Sequence, residues 1–444
     1  MKIYNKLICI FLFFSTLLSA NATYINEPIL NSKVYIETHG NPNDEVIVFV
    51  HGLGDEASTI WERSVEKLKN DYYIITFDLP GFGKSSKYSA EYTPEKYALV
   101  VDYLISKYTS KQIYLVGHSM GGAIALKYTQ LYESKIKRLF LIDVAGILHR
   151  DAYSQFLIKA GIDKFFNMDN SNFITNKISN LFSNISNGLN KLVPTSLYDV
   201  VRTDYLRDNL FQSNPTSIAA VGLVTETFFN IEKINTPTII LWGEKDEVAP
   251  LRTGYVLNKL IKNSTLKVIK NSGHAPIIDS KEIYLDYLDK FLTNNIEKES
   301  KKVNRLIYDN LEINRQNNLI LDCNSKLIRI INSQNIQLKD CNLEEMYIEN
   351  SSVWIINSNV NTKDTALKII SSKVNITASE INGKVAIDTF NSKLDFAAVN
   401  LKSSETSIFS RKTNQIIFSL TTLQGPITNK ILHKKIVMQN NNKL

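Results

Sequence analysis

Gly117-His118-Ser119-Met120-Gly121 sets a serine between two glycines, after the apolar run Ile113-Tyr114-Leu115-Val116 and before the helix-like stretch Gly122-Ala123-Ile124-Ala125-Leu126. A serine on so sharp a strand-to-helix turn is pushed out of the backbone, where a base can reach its Oγ, and the flanking positions must be very small. A serine hydroxyl is a weak nucleophile at neutral pH, so the chemistry also needs a base and a carboxylate to orient it. The chain has six histidines. His118 lies within the turn and cannot fold back onto Ser119, and His51 opens a glycine loop. His39 and His149 sit in polar connections, and His433 in the C-terminal tail. His274, in Asn271-Ser272-Gly273-His274-Ala275-Pro276 after the strand-like run 266–269, is the candidate base. The acid is sought after the preceding run, 238–242, where Glu244, Asp246 and Glu247 are all candidates. The chain order serine, acid, histidine is then satisfied.

Such groups need a rigid frame. Short runs rich in Val, Ile and Tyr at 32–38, 45–50, 72–77, 112–116, 138–142, 238–242 and 266–269 read as strands. Most are continuously apolar, which suits strands covered on both faces. Helical stretches alternate with them. In 94–108, Thr93 can cap, Pro94 occupies the first turn and Glu95 faces the helix dipole. The alternation predicts an α/β fold with a mostly parallel sheet. The interval 148–235 is far longer than an ordinary crossover. It contains helical, aromatic-rich pieces at 153–166, 173–192 and 217–229, whose apolar positions could line an acyl pocket or form a small core of their own.

Residues 33–294 resemble an α/β-hydrolase of the lid-bearing esterase/lipase type. The motifs are His51-Gly52-Leu53-Gly54, Asp78-Leu79-Pro80-Gly81-Phe82-Gly83-Lys84-Ser85, Gly117 to Gly121, Leu241-Trp242-Gly243-Glu244-Lys245-Asp246 and Gly273-His274-Ala275-Pro276. The resemblance implies Asp246 as the acid and 148–235 as a helical cap over the site. The elbow itself supplies one oxyanion donor, the N–H of Met120 at the helix N-terminus. The resemblance points to the N–H of Leu53 as the second, with glycines letting the backbone approach the substrate. His51 and Asp78 read as structural, the first holding its loop by hydrogen bonds and the second anchoring the Pro80-Gly81 turn.

Composition bounds the rest. The 444 residues suggest two or three domains, and 44% hydrophobic with 21% charged residues are globular values. Residues 1–22 read as a secretory signal: Lys2 and Lys6, an apolar run over 7–18, then Ala20-Asn21-Ala22 as the cleavage site. A retained anchor is the other reading of that segment, and the mature protein is expected to be exported, periplasmic or secreted. No metal-ligand spacing and no phosphate-binding loop appears, so neither metal nor cofactor is expected. The net charge of +7 could favour anionic lipid or acidic polysaccharide, but a codon bias rich in Lys, Asn and Ile is the preferred reading, and nothing suggests nucleic-acid binding.

The last third differs. A charged linker, 295–304, leads into 305–444, where a repeat recurs about every twenty residues. Asn350-Ser351-Ser352-Val353 aligns with Ser371-Ser372-Lys373-Val374 and Asn391-Ser392-Lys393-Leu394, with a looser copy from Asn332. This resembles a right-handed parallel β-helix, an all-β solenoid. Laying Leu319 to Cys323 over Ile336 to Cys341, with one residue of slack, puts Cys323 and Cys341 in adjacent coils. Stacked strands lie about 4.8 Å apart, a spacing that a disulfide accepts. A disulfide and two buried thiols are the two readings open at this point.

The expectation is thus an exported serine hydrolase of carboxylic esters, small-molecule or lipid, using Ser119, His274 and Asp246 in a hydrolase domain spanning 23–294. A carbon–carbon bond hydrolase of the same fold is the alternative enzyme. A surface adhesion or glycan-binding protein carrying an esterase is the alternative of another class, with the C-terminal domain meeting a cell-surface glycan or membrane surface.

Overall fold

The computed structural model describes residues 21–54, 56–149, 152, 204, 208, 213–295 and 306–428. Eight strands form the first sheet: β1 (Asn21–Glu27), β2 (Ser32–His39), β3 (Glu45–Val50), β4 (Tyr72–Phe77), β5 (Ile113–His118), β6 (Ile136–Ile142), β7 (Thr238–Gly243) and β8 (Ser264–Ile269). Their order is β1-β2-β4-β3-β5-β6-β7-β8. β1 and β2 pair antiparallel, β2 meets β4 antiparallel, and every later pairing is parallel.

The helices are α1 (Glu62–Leu68), α2 (Pro94–Ile105), α3 (Met120–Tyr132), α4 (Pro215–Thr225), α5 (Arg252–Leu260), α6 (Pro276–Asp279) and α7 (Lys281–Thr293). Strand alternation sends Val46, Val48 and Val50 to one apolar layer with Val101, Leu104 and Ile124 of α2 and α3. Ile47 and Phe49 go to the opposite layer, with Val65 of α1 and Leu288 and Phe291 of α7. That double cover explains why the central strands read as unbroken apolar runs. Thr93 caps α2 as expected, accepting the Lys96 N–H.

The sequence reading differs from the structure at two places here. β1 went unrecognised, because its exposed edge strand lacks an apolar rhythm and overlaps the leader. A cut after Ala22 would leave Thr23–Glu27 to pair with β2. The helix expected over 217–229 is α4, which starts at its Asn214 cap and ends before Glu226, where the backbone turns extended. The expected helices at 153–166 and 173–192, the leader over 1–20, the linker residues 296–304 and the tail from 429 lie outside the described residues.

The C-terminal region is a parallel β-solenoid. One sheet holds β10 (Ile320–Leu321), β12 (Ile336–Lys339), β14 (Ser352–Ile356), β17 (Lys373–Thr377), β19 (Lys393–Ala397) and β21 (Gln415–Ser419). The other holds β9 (Leu306–Asn314), β11 (Cys323–Ile331), β13 (Asn342–Glu349), β15 (Asn359–Asn361), β16 (Thr365–Ile370), β18 (Glu380–Phe390), β20 (Asn400–Arg411), β22 (Thr422–Gln424) and β23 (Ile427–Thr428). Val353, Val374 and Leu394 stack in register, as the repeat alignment requires. Each coil turns its corners through left-handed residues, among them Asn332, Asn350, Ser371 and Asn391 on one side. Asn tolerates that conformation better than most side chains, hence the Asn-rich turns.

A serine follows each of those corners and passes a hydrogen bond along the stack. Ser333 N–H donates to Ser351 Oγ (3.0 Å), Ser351 N–H to Ser372 Oγ (3.1 Å) and Ser372 N–H to Ser392 Oγ (3.1 Å). The opposite corner carries a second column of this kind, and the cysteines occupy it. Cys323 N–H donates to Cys341 Sγ (3.2 Å), Cys341 N–H to Ser358 Oγ (3.1 Å) and Ser358 N–H to Ser379 Oγ (3.0 Å). The adjacent-coil register therefore stands, but the disulfide between Cys323 and Cys341 does not: both are buried thiols. The Cys341 sulfur is aimed at a backbone N–H in the manner of the serine hydroxyls. Its neighbour Cys323, then burial, push the Cys341 thiol well up, so it stays protonated.

The outer face of the six-stranded sheet packs on the hydrolase. Ala397, Ala398, Ile417 and Leu420 join the apolar layer that contains Ile147 and Leu148. Arg252, at the start of α5, grips Asp395 with Nη1 at 2.7 Å and Nη2 at 3.2 Å, both side chains being buried. Lys259 pairs with Glu380 at 2.9 Å, and His149 N–H donates to Ser419 Oγ at 2.9 Å.

Candidate active site

Ser119 sits between β5 and α3 with φ 55° and ψ −121°, a strained backbone that a packed surrounding must hold. Its N–H donates to Ile142 O at the end of β6 (2.9 Å). A Cβ on Gly117 would collide with the carbonyl of Gly121, and one on Gly121 with the carbonyl of Val50. The two glycines are thus required by close backbone approach on both sides of the serine.

His274 brings the pieces together. Its Nε2 lies 2.9 Å from Ser119 Oγ and its Nδ1 2.8 Å from Asp246 Oδ2. The other Asp246 oxygen accepts the N–H groups of Val248 (2.7 Å) and Ala249 (2.9 Å), which lock the carboxylate in place. With Nδ1–H donating to Asp246, Nε2 is left to accept the serine proton. Of the three carboxylates left open by spacing, Asp246 is the one facing the imidazole. Glu244 points elsewhere, accepting Asn271 N–H at 3.2 Å.

Loop 51–54 runs beside the nucleophile, since a Cβ on Gly52 would lie 2.9 Å from Ser119 Cβ. Leu53 is the next residue of that loop. Met120 opens α3, so its N–H belongs to the turn that has no intrahelical acceptors. His51 holds the loop: Nδ1 donates to Gly52 O (2.7 Å) and Nε2 accepts Leu79 N–H (2.9 Å), and burial lowers its pKa so that it stays neutral. Asp78 accepts Ser58 N–H at 3.0 Å and Lys84 N–H at 2.7 Å. It therefore closes the 79–84 loop, which contains Pro80 and Gly81, and ties it to Ser58. Ser119 is only 6% exposed. Whether 148–235 lines a pocket above it falls mostly on residues outside those described.

Two groups near the site were not found from sequence. His118 donates from Nε2 to the carbonyl of His274 (2.7 Å), fixing the loop that carries the base. Asp143, at the end of β6, accepts Gly243 N–H at 2.9 Å. Neither spacing nor composition signals these roles, because both depend on which strand ends adjoin. Polar atoms of His118, Asp143 and His274 lie within 4.8 Å of one another. His274 has both ring nitrogens hydrogen-bonded to Asp246 and Ser119, so it has none left for a metal.

Burial, then the nearby His274, lowers the His118 pKa to about 3. The unfolded chain takes up a proton below about pH 6.5 that folded His118 refuses. Stability therefore falls as pH drops from there towards 3, and is unaffected by this group above that window. His118→Gln keeps a donor at the ε position without the titration. Thermal melts across pH 4–7 should show a shallower acid decline for that variant; an unchanged decline would assign the acid sensitivity to other groups.

A family model described as alpha/beta hydrolase fold matches residues 45–281, over half of the chain. Lipase 3 of Moraxella sp. (strain TA144) is 27% identical over 262 residues, covering 57% of this chain and 79% of that protein. Lipase 1 of Psychrobacter immobilis is 26% identical over 254 residues, 56% of this chain and 76% of that protein. Among solved structures, an esterase from Exiguobacterium antarcticum matches with a TM-score of 0.45 and 21% identity, covering 62% of this chain and 100% of that one.

Proposed function

The chain belongs to the alpha/beta hydrolase fold family, and from that premise we propose that it is an exported serine esterase or lipase. The observation that carries the reading is the imidazole of His274, hydrogen-bonded at once to Ser119 Oγ and Asp246. In the proposed cycle His274 Nε2 takes the Ser119 proton as Oγ attacks the ester carbonyl. The oxyanion is met by the N–H groups of Leu53 and Met120. The proton then passes to the leaving alcohol, and water activated by His274 cleaves the acyl-enzyme. The fold hosts several chemistries, so ester specificity rests on the lipase relatives and on a serine in the nucleophile position.

Export belongs to the same proposal, supported by the leader-like residues 1–22. So does contact of the solenoid with a surface glycan or membrane. Its support is an outward ladder in which the Tyr347 ring lies between Arg329 (5.6 Å) and Lys368 (6.0 Å). Among the described residues no helix is long and apolar enough to cross a membrane.

Incubation of the purified chain with p-nitrophenyl acetate, butyrate, octanoate and palmitate tests the reading. Nitrophenol release that depends on Ser119 is expected, and its rise or fall with chain length reports the acyl pocket. Absence of turnover on all four esters would remove the esterase assignment.

A further inference from the structure

Asp143 is fully buried at the C-terminal end of β6, with φ at 45°. A side chain held in that left-handed region is under constraint. Its Oδ1 accepts Gly243 N–H (2.9 Å), while Oδ2 is buried without a hydrogen-bond partner. The carboxyl borders that of Asp246, and one of its oxygens lies within 4.8 Å of a His274 ring nitrogen. Two carboxyl groups from neighbouring strand ends thus converge on a single imidazole.

The N–H groups around them are unevenly shared. Val248, Ala249 and His274 donate to Asp246, whereas only Gly243 donates to Asp143. Donors favour the charged form, and two adjoining carboxyls in a dry site do not both ionise readily. Burial first, then the charge of Asp246, push the Asp143 carboxyl well above the ordinary carboxylate range. Asp143 therefore keeps its proton.

We propose that Asp143 is a reserve orienting acid for His274, a positioning residue that takes over from the β6 side when Asp246 cannot carry the negative charge. This rests on the serine-triad reading above. In Asp246→Asn the charge of Asp246 no longer opposes ionisation, so Asp143, still held above the ordinary carboxylate range by burial, loses its proton to solvent as the pH rises, and the resulting carboxylate orients the imidazole. A hydrolase whose orienting acid has no substitute loses about ten-thousand-fold in kcat on conversion of that acid to its amide. Here the loss at the alkaline end of the pH range, where Asp143 is ionised, should stay below about a hundredfold.

The test compares wild type, Asp143→Asn, Asp246→Asn and the double variant on p-nitrophenyl butyrate across pH, with melting curves to confirm folding. Asp143→Ser replaces Asp143→Asn if the amide does not fold. The double variant is expected to lose at least about tenfold more than the product of the two single losses. The residual activity of Asp246→Asn should rise with pH as Asp143 ionises, and the double variant should lack that limb. Losses that simply multiply, with identical pH profiles in Asp246→Asn and the double variant, would overturn the proposal. Ser119→Ala in the same assay separates the two ideas: if it stays active the triad reading fails, and if it is inactive only the reserve role is at stake.

Discussion

Ser119→Ala and His274→Ala are each expected to lower kcat on a p-nitrophenyl ester by about ten-thousand-fold or more. The size follows from geometry. Among the described residues, His274 Nε2 at 2.9 Å is the base within reach of Ser119 Oγ. Because nucleophile and base act on one proton, the double variant should be no worse than either single one. Asp246→Asn should cost less than either, since the imidazole remains and only its orientation and charge partner change. The measurement is steady-state kinetics on wild type and the four variants, with binding of an unreactive ester analogue to check that the site survives. A Ser119→Ala protein retaining a tenth of the activity would move the nucleophile elsewhere.

The second large effect is on stability. Arg252→Ala should destabilise the full chain by about 3–5 kcal/mol, because it leaves the Asp395 carboxylate buried and unpaired. The pair is bidentate, and its side chains are 7% and 11% exposed, so solvent cannot take over the lost partner. A surface pair such as Lys67–Asp289 at 2.7 Å, with both side chains over a third exposed, should be worth less than about 1 kcal/mol. The double change Arg252→Met with Asp395→Leu should recover most of the loss, since apolar groups of similar volume replace a buried pair at little cost. Urea denaturation followed by fluorescence reads all three. If Arg252→Ala unfolded at the wild-type midpoint, the solenoid would not be held on the hydrolase by this contact.

Local pattern accounts for most of the hydrolase frame. Apolar runs, most of them continuous, marked β2 through β8, since helices cover both faces of the central sheet and leave little polar rhythm there. Gly117 and Gly121 located the nucleophile because only glycine tolerates the approach of the Val50 and Gly121 carbonyls. The Asn-Ser steps at 332, 350 and 391 announced the solenoid, because each corner needs a left-handed residue followed by a small hydroxyl that can bond along the stack. Elimination among six histidines left His274 as the base.

Everything that depends on which distant segments adjoin had to wait for the tertiary structure. Spacing alone could not choose between Glu244, Asp246 and Glu247; the turn that aims Val248 and Ala249 N–H at one of them did so. His118 reaches the His274 carbonyl only because β5 ends beneath that loop. Asp143 meets Asp246 only because β6 and β7 are neighbours. The cysteines stacked as their alignment implied, yet side-chain direction, which one chain's residue order does not encode, turned Cys341 toward a backbone N–H instead of into a disulfide. The same holds for Arg252 and Asp395, which lie 143 positions apart and become partners only when the solenoid face packs against α5. Local sequence sets the elements and their reactive tips; the burial that gives those tips their charge states and partners arises when the elements assemble.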